Sequence, residues 1–209
     1  MNKFSILQIV FWISLTVFSQ KSIQKTIDFN GADIQIDLGK IDRLQLRQSD
    51  KKQVIISTTE LEQEASFLKI KQQQNTLLIQ SKQTNIAKPE LPACIEQPLF
   101  TSYSITIPKN VKVFVTINSG NFITDNFNGF LELSVKEGEI ILNHILGNVK
   151  INTIDGVIIA STNIQKIQAK SHLGKVSVNK KEKKSKHLND LLIIETIRGN
   201  IFINTDKTP

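Results

Sequence analysis

A glycine every nine residues limits what this chain can fold into more than any other feature. Gly120, Gly129, Gly138, Gly147 and Gly156 follow one another at intervals of nine, Gly174 comes after eighteen, and Gly199 after twenty-five. The skipped slot is Gln165. Twenty-five is eighteen plus an insertion of seven, which puts one more slot near Asp190. The residues two and four places after each slot are Phe122/Thr124, Leu131/Leu133, Ile140/Leu142, Val149/Ile151, Ile158/Ala160, Ile167/Ala169, Val176/Val178, Leu192/Ile194 and Ile201/Ile203. Only Thr124 among them is not apolar. A spacing of two sets both side chains on one face of a strand. Each unit therefore reads as a strand of about five residues and a turn of about four, with Gly, Asn and Asp supplying the turn conformations.

A nine-residue strand with one apolar face cannot bury that face alone. Stacking equivalent units buries a continuous core and pairs each backbone with the next. The pattern of a small or acidic residue before Gly recurs most faithfully at eighteen, in Ser119-Gly120, Glu137-Gly138 and Asp155-Gly156. Two units per coil follow, giving an all-β β-solenoid of 18-residue coils over residues 118–205. An antiparallel meander of even spacing is the alternative. In chain order the last rung, with Ile201 and Ile203, would be the uncapped C-terminal end, and the chain could then assemble end to end as a structural subunit.

The insertion, Asn179 to Leu188, holds Lys180, Lys181, Lys183, Lys184 and Lys186 against one acid, Glu182. Insertions into repeat stacks bulge out on one face. This one reads either as a docking patch for an anionic partner or as a solvated loop. With no interleaved aromatic residues to stack on bases, nucleic acid is not the expected partner.

The N-terminus predicts export. Lys3 precedes an uncharged run from Phe4 to Phe18, with Val17 and Ser19 at −3 and −1 of a cut after Ser19. That is the layout of a signal peptide over residues 1–19. Fifteen residues fall short of the roughly 20 that a membrane-crossing helix needs, so no span is expected after cleavage. The formal charge of +7 then becomes +6, since Lys3 is the only charge removed. A basic excess of this size favours anionic partners without identifying one. Cys94 is the single cysteine, so no internal disulfide is possible. It lies among Pro89, Pro92 and Pro98, in a stretch from Gln83 to Pro98 that reads as a loop.

Residues 20–117 are also strand-rich. Alternation marks Ile34–Leu38, Leu44–Leu46, Val54–Ile56, Leu68–Ile70, Leu77–Ile79, Ile105–Ile107 and Val111–Val115. Lys71 to Asn75 reads as a hairpin tip, Pro108-Lys109-Asn110 as a tight turn, and Glu60 to Ala65 as one helical turn. The region reads as a β-rich cap continuous with the repeats, which would cover an otherwise open sheet edge. The segment Tyr103 to Val113, then Ser119-Gly120-Asn121-Phe122-Ile123 and the recurring Gly-x-apolar rungs, resembles the bacterial putative-adhesin (head-GIN-like) family of β-strand repeats. The resemblance spans roughly Ile34 to Ile203. It implies an N-terminal strand region followed by a right-handed β-solenoid, and it brings no catalytic residues with it.

Signals for chemistry are few. His144, His172 and His187 have no second His or Cys at a metal-binding spacing, and no metal or cofactor is expected. One pair stands out: Glu137 and Asp155, eighteen apart and each before its glycine, should meet on neighbouring rungs. Carboxylates near 5 Å serve retaining glycoside hydrolysis, so a carbohydrate-active enzyme is one reading of the chain. The leading one is an exported, adhesin-like binding or scaffold protein of the bacterial envelope, periplasmic or at the surface, without catalytic activity. Its partner would be an envelope protein or an anionic polymer.

Overall fold

The computed structural model describes residues 23–58, 68–81, 101–179 and 189–205. Among them are fourteen strands and no helix: β1 Ile23–Asp28, β2 Asp33–Ser49, β3 Gln53–Thr58, β4 Leu68–Gln73, β5 Thr76–Ser81, β6 Ser102–Pro108, β7 Lys112–Asp125, β8 Asn128–Glu137, β9 Ile140–Asp155, β10 Val157–Thr162, β11 Lys166–Ser171, β12 Val176–Asn179, β13 Leu191–Thr196 and β14 Asn200–Thr205. All are joined in one sheet. The strands expected in the first half all form, as do the turns at Gln74-Asn75 and Lys109-Asn110. The segments 60–65 and 83–98, including Cys94, lie outside the described residues, as do residues 1–19, expected to be a signal peptide, His187 and the lysines from Lys180 to Lys186.

The sheet is parallel through its centre, at the spacing the glycines set. Leu131 pairs with Val149, and Ile140 with Ile158, each eighteen residues on. β2 pairs along both of its halves with β7, from Asp33↔Lys112 to Leu46↔Thr124. Inward positions alternate with outward ones, and the inward residues of both halves belong to one hydrophobic core. At the N-terminal end the direction reverses. β3 runs antiparallel to β6 and to β1, and β4 antiparallel to β5.

The units are less separate than a strand-and-turn reading predicts. β7 runs through Gly120 without a break, and β9 through Gly147. The bends are made by single glycines at positive φ, +141° at Gly120, +144° at Gly138 and +141° at Gly156, so the ladder resumes at once. These glycines stack backbone on backbone. A β-carbon on Gly138 would strike the carbonyl oxygen of Gly120, and one on Gly156 that of Gly138. The column continues with Gly199 against Gly156 and Gly174 against Gly199. The slot inferred near Asp190 also has a counterpart: the Asp190 carboxylate accepts a hydrogen bond of 2.9 Å from the Gly147 amide.

That glycine column is out of chain order, and so is the stack. β13 lies between β9 and β11, pairing Leu192 with Val149 on one side and Ile167 on the other. β14 lies between β10 and β12, pairing Ile201 with Ile158 and with Val176. The last rung is therefore interior, and the end of the stack is formed by β11 and β12. This corrects the expectation that Ile201 and Ile203 form the open end: they are 0% and 1% exposed, whereas Val176 is 40% exposed. The physical reason lies in side-chain size. An end rung leaves part of its apolar surface in water. Ile167, Ala169, Val176 and Val178 carry about five fewer carbons than Leu192, Ile194, Ile201 and Ile203. At about 0.8 kcal/mol per buried methylene, and with roughly half of the difference exposed at an end, placing the larger set inside favours this order by about 2 kcal/mol. Lys170 also comes to lie opposite Glu195.

Candidate binding face

The outward positions of a parallel stack form columns, because residues eighteen apart lie side by side. On the sheet face carried by the second half of β7, the second half of β2, the start of β9, and β10 and β14, the middle column is apolar. Ile123 pairs with Ile141, Ile141 with Ile159, and Ile159 with Phe202. All four point away from the core. Ile123 and Ile141 are half-buried, and Ile159 and Phe202 are 36% and 42% exposed. Gln45 precedes the column and Ser177 ends it. Large outward apolar residues on four adjoining strands, three isoleucines and a phenylalanine, are not needed for packing, since the inward neighbours Phe122, Leu142, Ile158 and Ile201 already fill the core.

Beside it lie polar residues in two groups, Asp125 paired with Asn143 before the irregularity between β9 and β10, and Ser161, Asn204 and Asn179 in register beyond it. In the first group Asn143 Nδ2 donates to Asp125 Oδ1 at 2.7 Å. An apolar stripe edged by amide and hydroxyl groups is a surface for contact. It can bury apolar area against a partner while the flanking groups fix orientation by hydrogen bonds. Its support is firm, because two buried hydroxyls tie the strands beneath it to their neighbours. Thr124 Oγ1 donates to the Leu46 carbonyl at 3.0 Å, and Thr162 Oγ1 to the Ile145 carbonyl at 2.7 Å.

Glu137 and Asp155 do come together, as Cα partners on β8 and β9. Their surroundings do not resemble a cleft. Both stand at a solvent-facing bend, and Asp155 Oδ2 is engaged at 3.3 Å by Arg198 Nη2. The adjacent hollow, about 340 Å³, is lined by Ser134, Lys136, Ile154, His172, Glu195 and Ile197 and by neither carboxylate. His144 borders a different hollow, with Asn126 and Phe127. Among the described residues no three metal-binding side chains cluster, and no helix is long and apolar enough to cross a membrane.

The positions two and four after each glycine are inward and do not display the apolar column. Its signal sits at the third position, read every eighteen residues: Ile123, Ile141 and Ile159, then Phe202. The intervening units carry Glu132, Lys150 and Gln168 at that place.

No family model and no curated protein matches the chain. Solved structures do. A putative cell adhesion protein from Clostridium sporogenes matches over 89% of this chain and 99% of its own, at 14% identity and a TM-score of 0.57. A putative adhesin from Parabacteroides merdae matches over 88% and 82%, at 15% identity and a TM-score of 0.39. A putative lipid binding protein from Parabacteroides distasonis matches over 90% and 98%, at 14% identity and a TM-score of 0.37. The first shares the fold of this chain, and its name agrees with the adhesin-family resemblance seen in the sequence.

Proposed function

We propose that this chain is an exported, adhesin-like binding protein of the bacterial cell envelope, without catalytic activity, and that the column Ile123, Ile141, Ile159 and Phe202 is its contact face. The observation that carries the reading is the column itself: four outward apolar residues, in register on a rigid parallel stack, beside hydrogen-bonding groups. The adhesion name of the Clostridium sporogenes protein that shares the fold supports it.

The proposal includes the architecture. One sheet with one buried face, and no second layer among the described residues, has only itself to pack against. Coiling as a right-handed β-solenoid of 18-residue coils, with 20–117 as its cap, meets that need. The lysines from Lys180 to Lys186 are a second contact on this reading, suited to an anionic polymer. The carbohydrate-active alternative through Glu137 and Asp155 has less behind it, since Arg198 already engages Asp155.

The test uses residues 20–209 immobilised and challenged with envelope extract at moderate salt. Three forms are compared: the parent, Ile159→Glu with Phe202→Glu, and a chain lacking Lys180 to Lys186. The expected outcome is one partner held by the parent and by the lysine-deleted chain, and lost with the double glutamate. A partner lost only with the lysines moves the contact to the insertion. Turnover of envelope glycans by the parent, abolished in Glu137→Gln, would overturn the non-catalytic reading.

A further inference from the structure

The interior position of the last rung coincides with a second feature of the sequence. β9 and β10 are separated from β11 and β12 by the same eighteen residues that relate the stacked strands from β7 to β10. Val149 and Ile151 correspond to Ile167 and Ala169, and Ile158 and Ala160 to Val176 and Val178. The end rung thus carries the register needed to sit directly on β9 and β10. In the structure it sits one place further out, with β13 and β14 between.

We infer that the segment 189–205 is an insertable element and that the chain has a second register, in chain order, in which its slot is closed. Three observations support this. The inward faces that would meet are apolar on both sides. The outward pairs that would form, Asn148 with Lys166, Lys150 with Gln168 and Asn152 with Lys170, set no like charges opposite each other. The bend column holds glycine at Gly156, Gly174 and Gly199 alike, so the close backbone approach made at each rung is met in either order. In the second register β13 and β14 leave the inner edges of β11 and β12 and pair with their outer edges, where the end of the stack is open. The native order is favoured because it hides the larger side chains. The second is a minor state, reached by releasing one rung, and it offers a route by which 189–205 of one copy enters the slot of another.

Cysteine pairs in a Cys94→Ser background separate the two registers in the full-length chain. Lys150 and Ile193 are direct neighbours in the native order, as are Ile193 and Gln168. Lys150 and Gln168 are then two strand spacings apart, about 9.6 Å, beyond the roughly 7 Å limit for a disulfide. In the second register they are neighbours. Under mild oxidation the Lys150→Cys/Ile193→Cys pair should close fast. Lys150→Cys/Gln168→Cys should close slowly, within the monomer, and roughly tenfold faster or more when Ile201→Asp disfavours the inserted rung. Glu132→Cys/Gln168→Cys, not adjacent in either register, is the control. The inference is overturned if the Lys150/Gln168 pair fails to close in the otherwise unaltered chain, closes only between molecules, or closes no faster than the control. If Ile201→Asp abolishes the β signal in circular dichroism, the comparison without it decides alone.

Discussion

Truncating two residues that face each other across the last strand pair measures which rung is interior. Ile201 is fully buried between Ile158 and Val176, while Val176, its partner, is 40% exposed. Ile201→Ala removes three carbons from a site packed on both sides. The expected loss is about 3 kcal/mol, transfer and residual cavity together. Val176→Ala removes two carbons, worth about 1.6 kcal/mol if wholly buried, and about 1 kcal/mol once its exposure is discounted. In a chain-ordered stack the ranking inverts, since Val176 would lie inside and Ile201 at the end. The assay is urea unfolding of residues 20–209 followed by far-ultraviolet circular dichroism, because Trp12, the only tryptophan, is not part of that segment. The midpoint shift at unchanged slope gives the difference. A larger loss for Val176→Ala than for Ile201→Ala would refute the interleaved order.

Further outcomes follow from single contacts. Gly138→Ala should destabilise the fold by several kcal/mol, since the residue is at φ +144° and its β-carbon would meet the Gly120 carbonyl; a thermal midpoint unchanged within about 2 °C would contradict this. Thr162→Val should cost about 1–3 kcal/mol in the same urea assay, because it strands the Ile145 carbonyl and the Ile164 amide, which the hydroxyl now serves at 2.7 and 3.0 Å. Phe202→Gln, on the outward face, should leave stability within about 0.5 kcal/mol while weakening partner capture; a large drop in the midpoint would assign Phe202 to packing instead. Arg198→Ala should change stability by less than about 1 kcal/mol, as its ion pair with Asp155 is half exposed on both sides.

Much of this molecule is legible in its sequence, because a parallel stack repeats its demands. Glycine recurs where backbones touch, and apolar residues recur two and four places later. Even the meeting of Glu137 with Asp155 follows from the spacing of eighteen. The order of the rungs does not follow, for a definite reason. Periodicity records what each rung buries and how it bends, and every rung here satisfies the same requirements. The segment 166–179 fits against β9 and β10 as well by spacing as 189–205 does. What separates them is the smaller size of Ala169, Val176 and Val178, a difference of a few methylenes that no motif displays. The proposed contact face escaped for another reason: its residues point away from the core, so the inward pattern is complete without them.

The interleaving also bears on when the molecule can be finished. Synthesis delivers a chain from its N-terminal end, and early segments fold first. Here β13 and β14, made after β11 and β12, belong on the inner side of them. While 189–205 is still held in a ribosome, the portion up to Asn179 has no native neighbour for its end rung. Completion of the sheet thus waits on 189–205, and a chain cut short before it would lack an inner layer and not merely an edge.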